Sequence, residues 1–394
     1  MNTKLTLIAL LLIGAIACEK QLITFSNQAC EQKAVAMTAS ALGSNDNINM
    51  LEEVGVMIVD IDAERLSSAL LANVELYNCV KSVSKNDIAT VNPIRTPANV
   101  DRKQWQLKRT NVHDLPLPKS YTRHESTNEV HVYVVDSGID GQHNDLKSRV
   151  AEESAHKDFT WRGDSPLTDE NDHGTHCAGL IASPEAGYNT HATLHSAKVF
   201  DASGSASFEI ILNAMNWTIT QHKNYPGTAG IVSMSLGGPR NDATNQAADR
   251  IRKAGLLPIV AAGNENQNTR NVSPGSAEGS YTVGASDIDD SRAYFSNFGT
   301  DVNIYAPGVQ IWSCKPGNSY QYLSGTSMAT PFVAGFASYL AASNKLTDAE
   351  DIAAALNTHV TKDHVSSAKE GTNALPFDGD ASFVEEFLKF LSKN

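Results

Sequence analysis

The stretch "VHVYVVDSGID", Val130 to Asp140, is a largely apolar run that stops at an aspartate and a glycine turn. Val130–Val135 has the length and the β-branched, aromatic character of a strand, and it is too short for a globular helix. Runs of the same kind recur at Thr193–Phe200, Gly230–Ser235, Leu256–Ala262 and Ser280–Ala285. Between or after them lie helical stretches, "FEIILNAMNWTITQH" (208–222), "NQAADRIRKAG" (245–255) and "MATPFVAGFASYLAAS" (328–343). Thr347-Asp348-Ala349-Glu350 reads as a capping box that opens a last helix. Strands with so little polar alternation are buried on both faces, which marks a parallel sheet held between helices. The expected fold class is α/β, a mostly parallel twisted sheet with helices on both faces.

Upstream the pattern changes. "QLITF" and "GVMIVDI" read as strands. "DAERLSSALLAN" reads as a helix capped by Asp62, with Leu66, Leu70 and Leu71 on one face. Residues 20–98 therefore read as a small α+β domain preceding the larger one. "ATVNPIRTPANVDRK", Ala89 to Lys103, carries two prolines and basic residues and reads as a linker open to cleavage. At the N-terminus, Lys4, the apolar run Leu5–Ile13 and Ala15-Ile16-Ala17 form an export-signal pattern over residues 1–17. That run is too short to span a bilayer. Cys18 follows directly, where bacterial lipoproteins carry a cysteine, although Ala15 matches their pattern poorly. Five cysteines are present, and export permits disulfides. Cys30 and Cys79 are candidates for a bridge that spacing alone does not establish.

Three polar sites fall at strand ends or helix starts, where such sheets place functional side chains. Asp136 follows the first strand directly; alone, it reads as a turn residue. His173 and His176 open a helical stretch in "DHGTHCAGLIA", and a histidine pair at i, i+3 also suits a metal. The stretch lacks the glutamate and the spacing of H-E-x-x-H, however. Ser327 in "SGTSMATP" stands at a helix start, where a lone serine is most often an N-cap. Together they read differently, because Asp, His, Ser is one of the chain orders known for serine-protease triads. With "VVDSGID", "HGTHCAG", "SLGG", "AAGNEN" and "GTSMATP" in that order, the sequence resembles the subtilisin-like serine proteases, in the proteinase K-like group. The resemblance runs from about Trp105 to near Phe377.

The resemblance implies a peptidase domain over 104–394 and an inhibitory propeptide over 20–98, whose tail near Val91-Asn92 threads the cleft. It implies Ser327 as nucleophile, His173 as base and Asp136 as the carboxylate that orients the imidazole. It implies Asn264 as an oxyanion donor. Ser235, Leu236 and Gly237 match the segment whose backbone pairs with substrate, and Ala261, Ala262 and Gly263 one wall of the specificity pocket. These wall segments hold no acidic residue, so cleavage after apolar or aromatic residues is expected. Cys177 resembles the group's free cysteine beneath the histidine, and reads chemically as a small buried apolar residue. Tyr281 replaces a disulfide cysteine of the group. Asn303 replaces a calcium-binding aspartate of many relatives, which leaves calcium open; no cofactor is required for the chemistry. Pro331, if it lies beyond the first helical turn, deprives the helix of a donor.

The formal net charge of −13 disfavours nucleic acid and anionic membranes as partners. The expected protein is a secreted monomeric serine endopeptidase made as a zymogen, with polypeptides as substrates. A lysosome- or vacuole-like digestive compartment is the alternative location. Three other classes compete with this expectation. A decoy on this fold would be expected to lose one of Asp136, His173, Asn264 and Ser327. A lipase would show G-x-S-x-G, which Gly325-Thr326-Ser327-Met328-Ala329 does not match. A metal hydrolase built on His173 and His176 lacks a nearby third ligand. Asn216-Trp217-Thr218 and Asn271-Val272-Ser273 match the glycosylation sequon.

Overall fold

The computed structural model describes residues 20–42, 48–61, 63–91, 93–95, 102–123 and 125–378. The expected leader over 1–17, Cys18, Asp62 and Asn92 lie outside the described residues. Residues 20–85 form β1 (Lys20–Phe25), α1 (Gln28–Leu42), β2 (Ile48–Leu51), β3 (Val56–Asp60), α2 (Ala63–Ala72), α3 (Val74–Cys79) and β4 (Val80–Lys85). The strands make an antiparallel sheet in the order β2-β3-β1-β4. Side chains alternate across a strand, so β1 and β3 serve two cores. Ile23, Phe25, Met57 and Val59 pack under the unit's own helices. Leu22, Val56 and Ile58 join a core of the larger domain. Leu66 and Leu70 are buried as expected, whereas Leu71 is 61% exposed. One further residue turns a helix by about 100°, which carries Leu71 off the apolar face. Cys30 and Cys79 are bonded, tying α1 to the end of α3.

Two short strands follow, β5 (Ile88–Thr90) and β6 (Ile94–Arg95). The larger domain contains β7 (Val130–Asp136), β8 (Lys157–Asp158), β9 (Thr193–Lys198), β10 (Ser205–Ser207), β11 (Ala229–Met234), β12 (Leu256–Ala261), β13 (Tyr281–Ser286) and β14 (Val302–Pro307). After them come β15 (Ile311–Lys315) and β16 (Ser319–Ser324). Seven of these strands form one sheet in the order β14-β13-β12-β11-β7-β9-β8. Every pairing in it is parallel. Along β7, Val130, Val132 and Val134 enter one core, and Tyr133 and Val135 enter the other. The first core is closed by α4 (His173–Ala182), α7 (Thr326–Asn344) and α8 (Ala349–Thr358). The second is closed by α5 (Phe208–His222) and α6 (Asp242–Lys253). The sheet is therefore covered on both faces, as its apolar strands require.

The cap of α8 differs from expectation. Asp348, not Thr347, is the N-cap, its Oδ1 accepting the Glu350 N–H at 2.8 Å. Glu350 turns outward to form two hydrogen bonds with Arg252, each 2.7 Å.

The N-terminal unit sits on α5 and α6. Asn241 Nδ2 donates to Lys85 O (2.9 Å), Gln246 Nε2 to Gly55 O (2.8 Å), and the Glu53 N–H to Asn216 Oδ1 (2.9 Å). Asn86 and Asp87 supply acceptors to the first turn of α5, through Glu209 N–H (2.7 Å) and Phe208 N–H (2.9 Å). Arg250 pairs with Glu31, and Lys223 with Glu53.

Candidate active site

Asp136 ends β7 inside the sheet, and its carbonyl accepts the Val199 N–H at 2.7 Å. Its buried Oδ1 accepts from the Ser137 N–H at 2.8 Å and from His173 Nδ1 at 2.7 Å. That bond sets the tautomer: Nδ1 carries the proton and Nε2 carries the lone pair. His173 Nε2 is buried and has no protein partner.

The start of α4 is braced so that His173 meets Asp136. Asp169 Oδ2 accepts the Thr175 N–H at 2.8 Å, and Ser137 Oγ accepts the Gly174 N–H at 2.9 Å while donating to Asp169 Oδ1 at 2.8 Å. Two otherwise orphaned helix-start donors are thereby satisfied. Burial raises the Asp169 carboxyl above its ordinary range. Gly174 is required sterically, since a Cβ there would lie 2.1 Å from the Gly138 carbonyl oxygen.

The two histidines separate clearly. His176 Nε2 donates to Ile311 O at 3.1 Å, away from His173, and burial lowers its pKa to about 3. Cys177 lies beneath His173, with Sγ 3.8 Å from Nδ1. Burial and then the Asp136 charge raise its thiol, so it remains protonated.

Ser327 is the second residue of α7, and Gly325 occupies the N-cap position. The Ser327 hydroxyl does not cap the helix; it donates to Ser235 O at 3.3 Å. Pro331 lies beyond the first turn and removes the N–H that would have served the Ser327 carbonyl. Ser235 Oγ (2.9 Å) and Cys177 Sγ (3.5 Å) donate to that carbonyl instead. Cys177 thus touches both His173 and the Ser327 backbone.

Asn264 follows β12. Its Oδ1 accepts from both the Thr326 N–H and the Thr326 hydroxyl, each at 2.9 Å, which assigns the amide orientation. Its Nδ2 is turned toward Gly325. A Cβ at Gly325 would lie 3.4 Å from Asn264 Nδ2 and 3.5 Å from Ser327 N. Both nitrogens border one small space that the glycine leaves open.

A cleft cavity of about 420 Å³ adjoins Ser327 and Asn264. Leu236, Gly237, Ala261, Ala262 and Gly263 line it. Ser235 does not, being turned onto Ser327. Glu265 lines it too, beyond the wall segments considered in the sequence, with Oε2 accepting from Asn297 Nδ2 at 2.7 Å. Ile88 and Thr90 of the N-terminal unit complete the lining. The Asn303 Oδ1 accepts the Thr282 N–H at 2.7 Å. The bracing residues Ser137 and Asp169 were not legible as such, because their contacts with Gly174 and Thr175 arise only on folding.

Residues 127–375 match the model of the subtilase family. The chain is 39% identical over 249 residues to a subtilisin-like protease of Coccidioides posadasii (strain C735), covering 63% of this chain and 61% of that one. It is 43% identical over 217 residues to subtilisin-like protease 6 of Trichophyton rubrum, covering 54% and 51%. The matches thus span about half to three-fifths of these relatives. Among solved structures, that of a cold adapted subtilisin-like serine proteinase superimposes with a TM-score of 0.64 at 32% identity, covering 69% of this chain and 97% of that one. The chain belongs to the subtilase family. Among the described residues no helix is long and apolar enough to cross a membrane.

Proposed function

We propose that this chain is a serine endopeptidase that cleaves polypeptides through an acyl-enzyme. Ser327 Oγ attacks the scissile carbonyl while His173 Nε2 takes its proton. Asp136 holds the imidazole in the tautomer that leaves Nε2 basic and stabilises the imidazolium that forms. The Ser327 N–H and Asn264 Nδ2 donate to the oxyanion as charge develops. The imidazolium then gives its proton to the leaving nitrogen, the C–N bond breaks, and water repeats the sequence on the ester. A rotation about the Ser327 Cα–Cβ bond swings the hydroxyl from Ser235 O toward His173; such a hydrogen bond is often loose before substrate binds.

The observation that carries this reading is the Asp136–His173 hydrogen bond of 2.7 Å, with Nε2 unpartnered and the Ser327 backbone held by the same cysteine that underlies the imidazole. The largely apolar lining favours apolar or aromatic residues before the cut. Glu265 is exposed, so solvent screens its charge, and Asn297 holds its carboxylate.

The protein is made as a zymogen. Residues 20–98 act as an intramolecular inhibitor of the peptidase domain over 104–394. The support is strand addition: β5 pairs antiparallel with β10, and Thr90 exchanges hydrogen bonds with Gly237 (3.0 and 3.3 Å). Residues 1–17 direct export, and the matured chain acts as a monomer outside the cell.

The test is labelling by a serine-reactive fluorophosphonate. Modification of Ser327 with loss of peptide hydrolysis is expected, and Ser327→Ala abolishes both. Inhibition by a chelator with no effect of the fluorophosphonate would overturn the reading.

A further inference from the structure

Two segments that lead to and from the candidate active site meet again at a separate group of side chains. His143 and Asp145 lie in the loop that leaves β7 at Asp136. Cys314 lies on β15, opposite Tyr320 of β16. That second strand runs through Ser324 into Gly325, Thr326 and Ser327. His143, Asp145 and Cys314 each offer one donor atom, and the three atoms all lie within 4.8 Å of one another. His143 and Cys314 are buried, whereas Asp145 is half-buried and gives the group a route to solvent.

The surrounding hydrogen bonds orient these donors. His143 Nε2 is 3.1 Å from Ser319 O, and a carbonyl can only accept, so Nε2 carries the proton and Nδ1 the lone pair. The Asp145 N–H donates to Nδ1 at 3.2 Å, a contact that a cation would replace. The Tyr320 hydroxyl donates to Asp145 Oδ2 at 3.0 Å and holds the carboxylate. A metal-binding imidazole almost always gives its other N–H to a carbonyl or carboxylate, and a ligating carboxylate is itself hydrogen-bonded. Both supports are present here, from adjacent residues of β16.

The donor set selects the metal. Calcium and magnesium take oxygen ligands. Zinc takes sulfur, nitrogen and oxygen together, in a tetrahedron with bonds of about 2.0–2.3 Å. Such bonds place neighbouring donors about 3.4–3.6 Å apart, which small side-chain rotations can reach from the present separations. A water would fill the fourth position from the Asp145 side. The other group with metal-binding atoms, Asp136, His173 and Cys177, belongs to the candidate active site, where the carboxylate already holds the imidazole.

We propose that His143, Asp145 and Cys314 form a site for a thiophilic divalent cation, zinc by preference, separate from the triad. Binding sends the thiol proton to solvent, and the thiolate and carboxylate then balance the charge of the ion. The ion ties the loop after Asp136 to the hairpin before Ser327, so its effect is on stability and it takes no part in hydrolysis. The proposal goes beyond the endopeptidase reading and does not depend on it.

The experiment titrates cobalt(II), the spectroscopic stand-in for zinc, into the full chain. Ser327→Ala prevents self-digestion, and Cys18→Ser removes a thiol outside the group. One equivalent is expected to give tetrahedral d–d bands with thiolate-to-cobalt charge-transfer absorption. Zinc should bleach both stoichiometrically, being the tighter binder at such donors, and excess calcium should not. Adding Cys314→Ser should abolish the charge-transfer absorption, and Cys177→Ser should leave it unchanged. Asp145→Asn and Tyr320→Phe should each weaken cobalt binding by about tenfold or more. Zinc should raise the Tm of the parent but not that of Cys314→Ser. Unfolding without metal checks that each variant folds, and Asp145→Asn, at the half-exposed position, carries the test if Cys314→Ser does not. No thiolate absorption at one equivalent, absorption that survives Cys314→Ser, absorption lost with Cys177→Ser, or cobalt affinity unchanged by Asp145→Asn would overturn the proposal.

Discussion

Ser235 and Ser327 exchange hydrogen bonds. Ser235 Oγ donates to the Ser327 carbonyl at 2.9 Å, and Ser327 Oγ donates to the Ser235 carbonyl at 3.3 Å. The first bond exists because Pro331 has left that carbonyl without its helical partner. Ser235→Ala would strand a buried acceptor with only the weak Cys177 thiol beside it. The expected cost is about 1–3 kcal/mol of unfolding free energy, the usual penalty for a buried group left unsatisfied. Chemical denaturation of an inactive Ser327→Ala background measures it without self-digestion. A change within error would mean that the thiol alone satisfies the carbonyl.

Asp136 acts on His173 through geometry and charge, so replacing it without changing its shape separates the roles. In Asp136→Asn, the amide offers a donor to Nδ1 as readily as an acceptor, and the imidazole loses its fixed tautomer. In another serine protease this substitution lowers kcat on the order of 10⁴-fold. A loss of that order is expected here, with fluorophosphonate labelling slowed in parallel. Activity within tenfold of the parent would show that the Asp136–His173 contact does not serve catalysis.

The disulfide between Cys30 and Cys79 closes a loop with a sequence separation of 49 residues. By chain entropy, such a crosslink destabilises the unfolded state by about 4 kcal/mol. The N-terminal unit is small, and part of its apolar surface is buried only against α5 and α6. The double change of Cys30 and Cys79 to Ser should therefore weaken its hold on the cleft. Fluorophosphonate should label Ser327 of the unprocessed variant faster than that of the unprocessed parent. Equal labelling rates would mean that docking alone maintains the fold of the N-terminal unit.

The strands of the central sheet were legible because burial on both faces demands unbroken apolar runs, and few other contexts tolerate them. The proposed triad was legible because each member is adjacent to a strand end or helix start with its own short motif. What the sequence concealed were contacts between distant residues. Ser235 and Ser327 are 92 positions apart, and nothing in "SLGG" signals that its serine serves a proline-freed carbonyl. Glu265 borders the cavity only because the turn after β12 folds back over Asn297. Leu71 and Thr347 depart from the sequence pattern for a local reason: a helix displaces each successive residue by a large angle, so one position separates a buried leucine from an exposed one, and a cap from its neighbour.

A cluster of histidines on the far side of the sheet makes the fold acid-labile. His131 Nδ1 and His195 Nε2 are 2.9 Å apart, His156 Nδ1 accepts the Ser196 N–H at 2.9 Å, and His222 Nδ1 lies 3.2 Å from the Tyr133 hydroxyl. Tyr225 stacks on His131 with ring centroids 3.9 Å apart. Two carboxylates face the group: Glu129, which is solvent-exposed and makes no aligned hydrogen bond to His131 Nε2, and Glu153, whose charge opposes but does not outweigh the effect of burial on His156. Burial accordingly lowers His131 to about 4 and His195 to about 3, and it lowers His156 and His222 as well. Between these values and the unfolded value near 6.5, the unfolded chain binds protons that the native protein does not. Stability from this source is complete above about pH 6.5 and falls as the pH drops toward 4, with a slope approaching about 1.4 kcal/mol per pH unit for each of His131 and His195. Urea unfolding of Ser327→Ala at several pH values between 7.5 and 4.5 should show this decline, and adding His131→Phe should flatten it by about one proton. A slope unchanged by His131→Phe would place the acid sensitivity elsewhere, in carboxylates that protonate at lower pH.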